Sequence, residues 1–166
     1  LSNSQNIQAS NNLFIANYAD SGGAISAWGT TGISFSNCRF FGNEANRSSS
    51  SSGGMAIFAN GTTSTSFVNC VISGNKANYR SGVLKADGMT RFVNCSIAGN
   101  SADTAGISLL FSGDVLEIEN SILWGNSAHE VPDVYTNTGT VSINNSLFSA
   151  NQSSGLPNGT NNISSE

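Results

Sequence analysis

The sequence predicts an all-β fold, a right-handed single-stranded parallel β-helix with three short strands per turn and about six turns. Three observations carry this. A seven-residue unit occurs as NNLFIAN (Asn11–Asn17), NCRFFGN (Asn37–Asn43), NCVISGN (Asn69–Asn75), NCSIAGN (Asn94–Asn100), NSILWGN (Asn120–Asn126) and NSLFSAN (Asn145–Asn151). Its first Asn advances in steps of 26, 32, 25, 26 and 25 residues. A nearly fixed period of this length marks a repeat array. Short β-like runs divided by glycine turns fill each period, with neither a leucine consensus nor helical spacing.

Each period holds three runs. The first alternates apolar and polar residues: ISFS (Ile33–Ser36), TSFV (Thr65–Val68), TRFV (Thr90–Val93), LEIE (Leu116–Glu119) and VSIN (Val141–Asn144). Alternation assigns Phe35, Phe67, Phe92, Ile118 and Ile143 to the interior. The second run is the repeated unit, with Phe14, Phe40, Ile72, Ile97, Leu123 and Phe148 inward. The third follows the Gly-Asn turn: AIS (Ala24–Ser26), AIF (Ala56–Phe58), VLK (Val83–Lys85), ISL (Ile107–Leu109) and DVY (Asp133–Tyr135). The long step contains RSSSSS (Arg47–Ser52), which reads as a loop pushed out of a regular coil.

The recurring asparagines have a structural reading. At a sharp corner the backbone leaves the sheet, and its N–H and C=O groups need other partners. Asn supplies both a donor and an acceptor and tolerates left-handed backbone angles. Stacked copies of Asn11, Asn37, Asn69, Asn94, Asn120 and Asn145 are expected to bond to one another and to the corner backbone. The second row, Asn17 to Asn151, is expected to do the same, the preceding Gly or Ala keeping that corner small. Cys38, Cys70 and Cys95 share one repeat position and are expected to form an internal stack continued by Ser121 and Ser146. Reduced, inert thiols are the first reading, and a disulfide between adjacent turns stays open. There is no CxxC and His129 is the sole histidine, which argues against zinc.

Composition narrows the function. Charged residues make up 10% and net charge is −4, while 38% of residues are hydrophobic and regularly placed. That regularity argues against disorder. Six scattered Lys and Arg form no basic patch, so nucleic-acid binding is not expected. No apolar run is long enough for a transmembrane helix. The chain, 1–166, reads as a β-helix segment excised from a longer exported protein.

The stretch FIANYADSGGAIS (Phe14–Ser26) resembles the repeat of chlamydial polymorphic outer membrane proteins, which joins F-x-x-N to GGA and an aliphatic residue. FFGNEAN and SGGMAIF, within Phe40–Phe58, carry both halves around the serine insertion. SGVL (Ser81–Leu84) and AGIS (Ala105–Ser108) lack one glycine, and EVPDVY (Glu130–Tyr135) lacks both. NSILWGNSAHEVPD (Asn120–Asp133) also resembles secreted or surface bacterial β-helix proteins. The resemblance covers most of the chain. It implies the right-handed β-helix of pectate-lyase-like proteins and an exported, autotransporter-like or adhesin-like role at the bacterial cell surface. Related folds degrade acidic polysaccharides, so fold alone does not separate the two classes.

A uronate lyase needs a base near the sugar C5 proton and cations beside the carboxylate. The best cluster places Arg91 beside Glu117 on the next turn, with Glu119 pointing the same way. Lys85 and Asp87 precede the strand of Arg91, and Gly113 and Asp114 precede that of Glu117. An exposed cross-strand ion pair is the simpler reading of Arg91 and Glu117. Glu117 and Glu119 could attract Ca²⁺, although two carboxylates are few for a site. His129, with Glu130 and Asp133, reads as a solvated turn. The outward positions of the repeated unit are more informative: Leu13, Ile15, Phe41, Val71, Ile122, Trp124 and Leu147, interrupted by Arg39, Ser73, Ser96, Ala98 and Ser149. Phe41, Ile122 and Trp124 are the binding candidates, for a neighbouring domain of the same polypeptide, a host or cell-surface protein, or a glycan stacked on the aromatic rings. The expected function is therefore a non-catalytic module offering a rigid contact surface. The alternative is a polysaccharide lyase or glycoside hydrolase.

Overall fold

The computed structural model describes residues 2–46, 57–61, 63–78, 84–103, 108–110, 114–129, 134–136, 139–149 and 160–165. The chain coils so that every strand pairs in parallel with its counterpart one coil away. The first sheet stacks Ile7–Ser10, Ile33–Ser36, Ser64–Val68, Met89–Val93, Val115–Glu119 and Thr140–Asn144. The second stacks Leu13–Ile15, Arg39–Phe41, Val71–Ser73, Ser96–Ala98, Ile122–Trp124, Leu147–Ser149 and Ile163–Ser165. A further sheet stacks Ile25–Trp28, Ile57–Asn60, Leu84–Ala86, Ser108–Leu110 and Val134–Thr136. These are the three strands per turn that the sequence predicts.

Between the second and last sheets lies a narrow one of two-residue strands: Tyr18–Ala19, Glu44–Ala45, Lys76–Ala77, Ser101–Ala102 and Ser127–Ala128. Two residues are too few for a periodicity, but an Asn-x-Ala triplet marks every copy. The number of complete coils is slightly below the expected six, because the narrow and last sheets each hold five strands among the described residues. Two rungs escaped the sequence reading. Ile7–Ser10 pairs with Ile33–Ser36, and Ile163–Ser165 pairs with Leu147–Ser149. The second of these is preceded by Asn161-Asn162, the same pair that opens the unit at Asn11-Asn12.

Alternation places the core as expected. Phe35, Phe67, Phe92, Ile118 and Ile143 are in register and buried, as are Phe40, Ile72, Ile97 and Leu123. Phe14 and Phe148, in outer rungs, are only partly covered. In-register parallel strands repeat every 4.8 Å or so, which is also a good separation for stacked rings. Phe35, Phe67 and Phe92 form one ladder with centroids 5.0 and 4.8 Å apart. Phe14 stacks on Phe40 at 4.6 Å, and Phe40 meets Phe35 and Phe67 edge-on. The two ladders therefore interlock across the coil.

The two Asn rows differ, where the sequence reading treats them alike. Asn37, Asn69, Asn94, Asn120 and Asn145 all take φ of 50–54°, and Asn11 takes 58°. Their side chains are exposed and make long contacts, such as Asn94 Nδ2 donating to Asn69 Oδ1 at 3.2 Å. Their main contribution is the left-handed backbone itself. In the second row, Asn43, Asn75 and Asn100 are completely buried. Asn75 Nδ2 donates to Asn100 Oδ1 at 3.0 Å and to the Phe40 carbonyl at 2.9 Å. The same Asn100 Oδ1 accepts the Asn75 backbone N–H at 3.0 Å. Asn100 repeats all three bonds toward Asn126 and Ile72. Each such amide thus uses both of its donors and both acceptor sites of its oxygen.

The residue before this second Asn is not glycine for reasons of size. At Gly99 the backbone has φ of 62°, and an added Cβ would meet nothing within 4 Å. The left-handed backbone is what selects glycine there, and Ala16 adopts it at φ of 50°. Gly23, in the GGA element, is different. A Cβ there would come within 2.3 Å of the Glu44 carbonyl oxygen on the next coil.

The thiols stack as expected. Cys38, Cys70 and Cys95 are free and buried, and each points its Sγ at the carbonyl two residues earlier, at 3.4, 3.3 and 3.3 Å. Ser121 and Ser146 occupy the next two rungs and donate to the equivalent carbonyls at 2.8 and 2.7 Å. They also accept the backbone N–H of the previous rung, from Cys95 and Ser121.

Candidate functional site

Two outer faces carry the candidate residues. The first sheet presents the charged group. Arg91 is in register with Glu117, but its shorter contact is diagonal. Its Nη2 lies 3.0 Å from Glu119 Oε2, while Nε lies 3.6 Å from Glu117 Oε2. The longer Arg side chain reaches past its direct neighbour to the next outward position. All three side chains remain between 41% and 49% exposed, on a sheet face rather than in a cleft. One guanidinium bridging two exposed carboxylates neutralises part of their charge and leaves less of it to attract a cation.

The neighbouring acids are tied to backbone. Asp87 Oδ2 accepts the Gly61 N–H at 2.6 Å, and buried Asp114 Oδ1 accepts the Gly88 N–H at 2.9 Å. Both satisfy corner amides of the preceding coil, the task Asn performs at the other corners. His129 is exposed, and its backbone N–H bonds to the Asp103 carbonyl. Glu130, Asp133, Gly113, the Arg47–Ser52 insertion, Asn151 and the side chains of Lys85 and Ser149 lie outside what is described. Among the described residues no group of three or more His, Cys, Asp or Glu is placed to hold a metal ion.

The second sheet presents the apolar face. Its outward side forms two columns along the coil axis. One runs Leu13, Arg39, Val71, Ser96, Ile122, Leu147 and Ile163. The other runs Ile15, Phe41, Ser73, Ala98 and Trp124. Leu13, Ile15 and Phe41 are 65%, 51% and 57% exposed, and Ile122 and Trp124 are 45% and 47% exposed. Phe41, Ile122 and Trp124 therefore share one face. Small residues separate an upper patch around Phe41 from a lower one around Trp124. Three rung steps place the two aromatic residues about 14 Å apart.

The upper patch is concave. Leu13, Ile15, Arg39, Phe41, Val71 and Ser73 line a groove of about 390 Å³. The Phe41 ring leans along the axis toward the next coil, near enough that a Cβ on Gly74 would touch it at 3.6 Å. Sequence reading finds the apolar members by alternation. It reads Arg39 as an interruption of the row, and the register of the stacked coils sets it between Leu13 and Val71.

These features describe a parallel β-helix repeat protein with an internal asparagine ladder. No known protein family matches the chain, and neither does any curated protein or solved structure.

Proposed function

We propose that the chain is a non-catalytic, adhesin-like contact module of an exported or cell-surface bacterial protein. The observation that carries this reading is the exposed apolar face of the second sheet. Large side chains repeated on one face of a stiff, in-register scaffold suit docking, since little order is lost when a partner binds. Repeats of the chlamydial polymorphic outer membrane protein kind, carried by Phe14–Ser26, favour the same exported setting. Protein and glycan partners both fit the aromatic pair Phe41 and Trp124. In this reading Arg91, Glu117 and Glu119 pair with one another at the solvent-facing side of the first sheet and perform no chemistry.

The test presents the immobilised chain with arrays of extracellular proteins and glycans, and in parallel incubates it with pectate, alginate and glycosaminoglycans with and without Ca²⁺. Saturable binding is expected without release of unsaturated or shortened products. The double substitution Phe41→Ser and Trp124→Ser is expected to abolish binding. Turnover lost on Arg91→Ala or Glu117→Gln would replace this reading with the polysaccharide lyase or hydrolase.

A further inference from the structure

Arg39 stands apart from the other described cations. Lys76 lies 3.8 Å from Glu44, and Arg91 bridges Glu117 and Glu119. Among the described residues Arg39 has no ion pair. Its side chain emerges into the apolar groove, with Leu13 and Val71 in register on either side and Phe41 on its own strand. A guanidinium surrounded by apolar surface loses competing water when that surface is covered. A carboxylate arriving with the cover then gains a charge-assisted, bidentate partner.

Building on the contact-module reading, we infer that this groove docks a protein segment that presents one Asp or Glu carboxylate between apolar side chains. The carboxylate sits on Arg39, and its apolar neighbours cover Leu13, Ile15, Phe41 and Val71. The low walls favour a macromolecular occupant. A small ligand needs a site that encloses most of its surface, whereas Leu13, Ile15 and Phe41 each remain more than half exposed. The lining also favours peptide over polysaccharide. Among the described residues, Ser73 and Arg39 are the only polar side chains lining it, too few to satisfy the hydroxyls of a sugar chain.

The test uses the intact chain and short fluorescent peptides capped at both ends. Each carries one Asp or Glu flanked at alternate positions by Phe and Leu. Matched peptides carry Asn or Gln instead. Binding is read by anisotropy at low and physiological salt. The carboxylate peptides are expected to bind at least ~10-fold more tightly than their amide counterparts, with the advantage shrinking as salt rises. Arg39→Gln is expected to erase that difference, and Arg39→Lys to retain part of it. Equal affinity for acid and amide peptides, undiminished binding by Arg39→Gln, or binding to polyuronate in place of peptide would each overturn the inference. If binding instead depends on Trp124 and Ile122 and not on Arg39, the contact-module reading stands while this inference falls. If neither patch binds any protein or glycan, both fall.

Discussion

At the residue scale, position within the corner decides what an asparagine is worth. Asn100 is fully buried and saturated. Asn100→Ala would strand the backbone N–H and Nδ2 of Asn75 and the carbonyl of Ile72. Each buried group left unpaired costs on the order of 1–3 kcal/mol, so a loss of about 3–5 kcal/mol is expected in chemical denaturation. Asn94 bends the backbone at φ of 54° and keeps its side chain exposed. Asn94→Gly is therefore expected to change stability by less than about 1 kcal/mol. Equal costs at the two positions would show that the rows share one role. Ala16 makes the complementary case. It holds the left-handed corner that Gly occupies at residues 42, 74, 99 and 125, and Ala16→Gly is expected to stabilise by about 1 kcal/mol.

At the element scale, the Cys column and the Arg91 strand separate packing from charge. The neighbouring Cys95 thiol and burial hold the Cys70 thiol above the usual range, while the same pairing lowers the Cys95 thiol and offsets part of the effect at lower pH. The folded state therefore favours the neutral form of Cys70. Its contribution is fully present below the unfolded thiol pKa of about 8.5 and is lost as pH rises above it, because the unfolded chain ionises first. Urea midpoints measured across that range should fall on the alkaline side, and Cys70→Ser should flatten the fall. The serine is expected to fit, since Ser121 and Ser146 already fill equivalent rungs with the same carbonyl bond. On the first sheet, Arg91→Ala removes two exposed ion pairs. Such pairs contribute about 0–1 kcal/mol and are screened by salt. Thermal melts of the variant should stay close to the parent, and closer still at high salt.

For the whole molecule, each coil touches only its neighbours, so stability is a sum along one axis. The central coils hold the interlocked Phe35, Phe40, Phe67 and Phe92 rings. Phe14 and Phe148, nearer the ends, are less covered. Amide hydrogen exchange is expected to be slowest in the strands Ser64–Val68 and Met89–Val93 and faster in Ile7–Ser10 and Ile163–Ser165. Uniform protection along the axis would instead indicate one all-or-none unit. The outer apolar face lies apart from this core. Phe41→Ser with Trp124→Ser should therefore remove binding while leaving the denaturation midpoint nearly unchanged.

By itself the sequence determined the coil. A side-chain period of two and a repeat near 25 residues leave few ways to bury Phe35, Phe67 and Phe92 together, and parallel stacking is the one that also aligns the asparagines. Tertiary structure alone decided which Asn row is buried, because that depends on which side of the corner faces the interior. The two-residue sheet, although marked by Asn-x-Ala, is too short to announce itself before its neighbours are stacked on it. The same holds for the candidate site. Alternation exposes Phe41, Ile122 and Trp124, but residues such as Leu13, Arg39 and Val71 lie 26 and 32 positions apart along the chain. Only the register between coils, set by the length of each intervening loop, makes them neighbours around one groove.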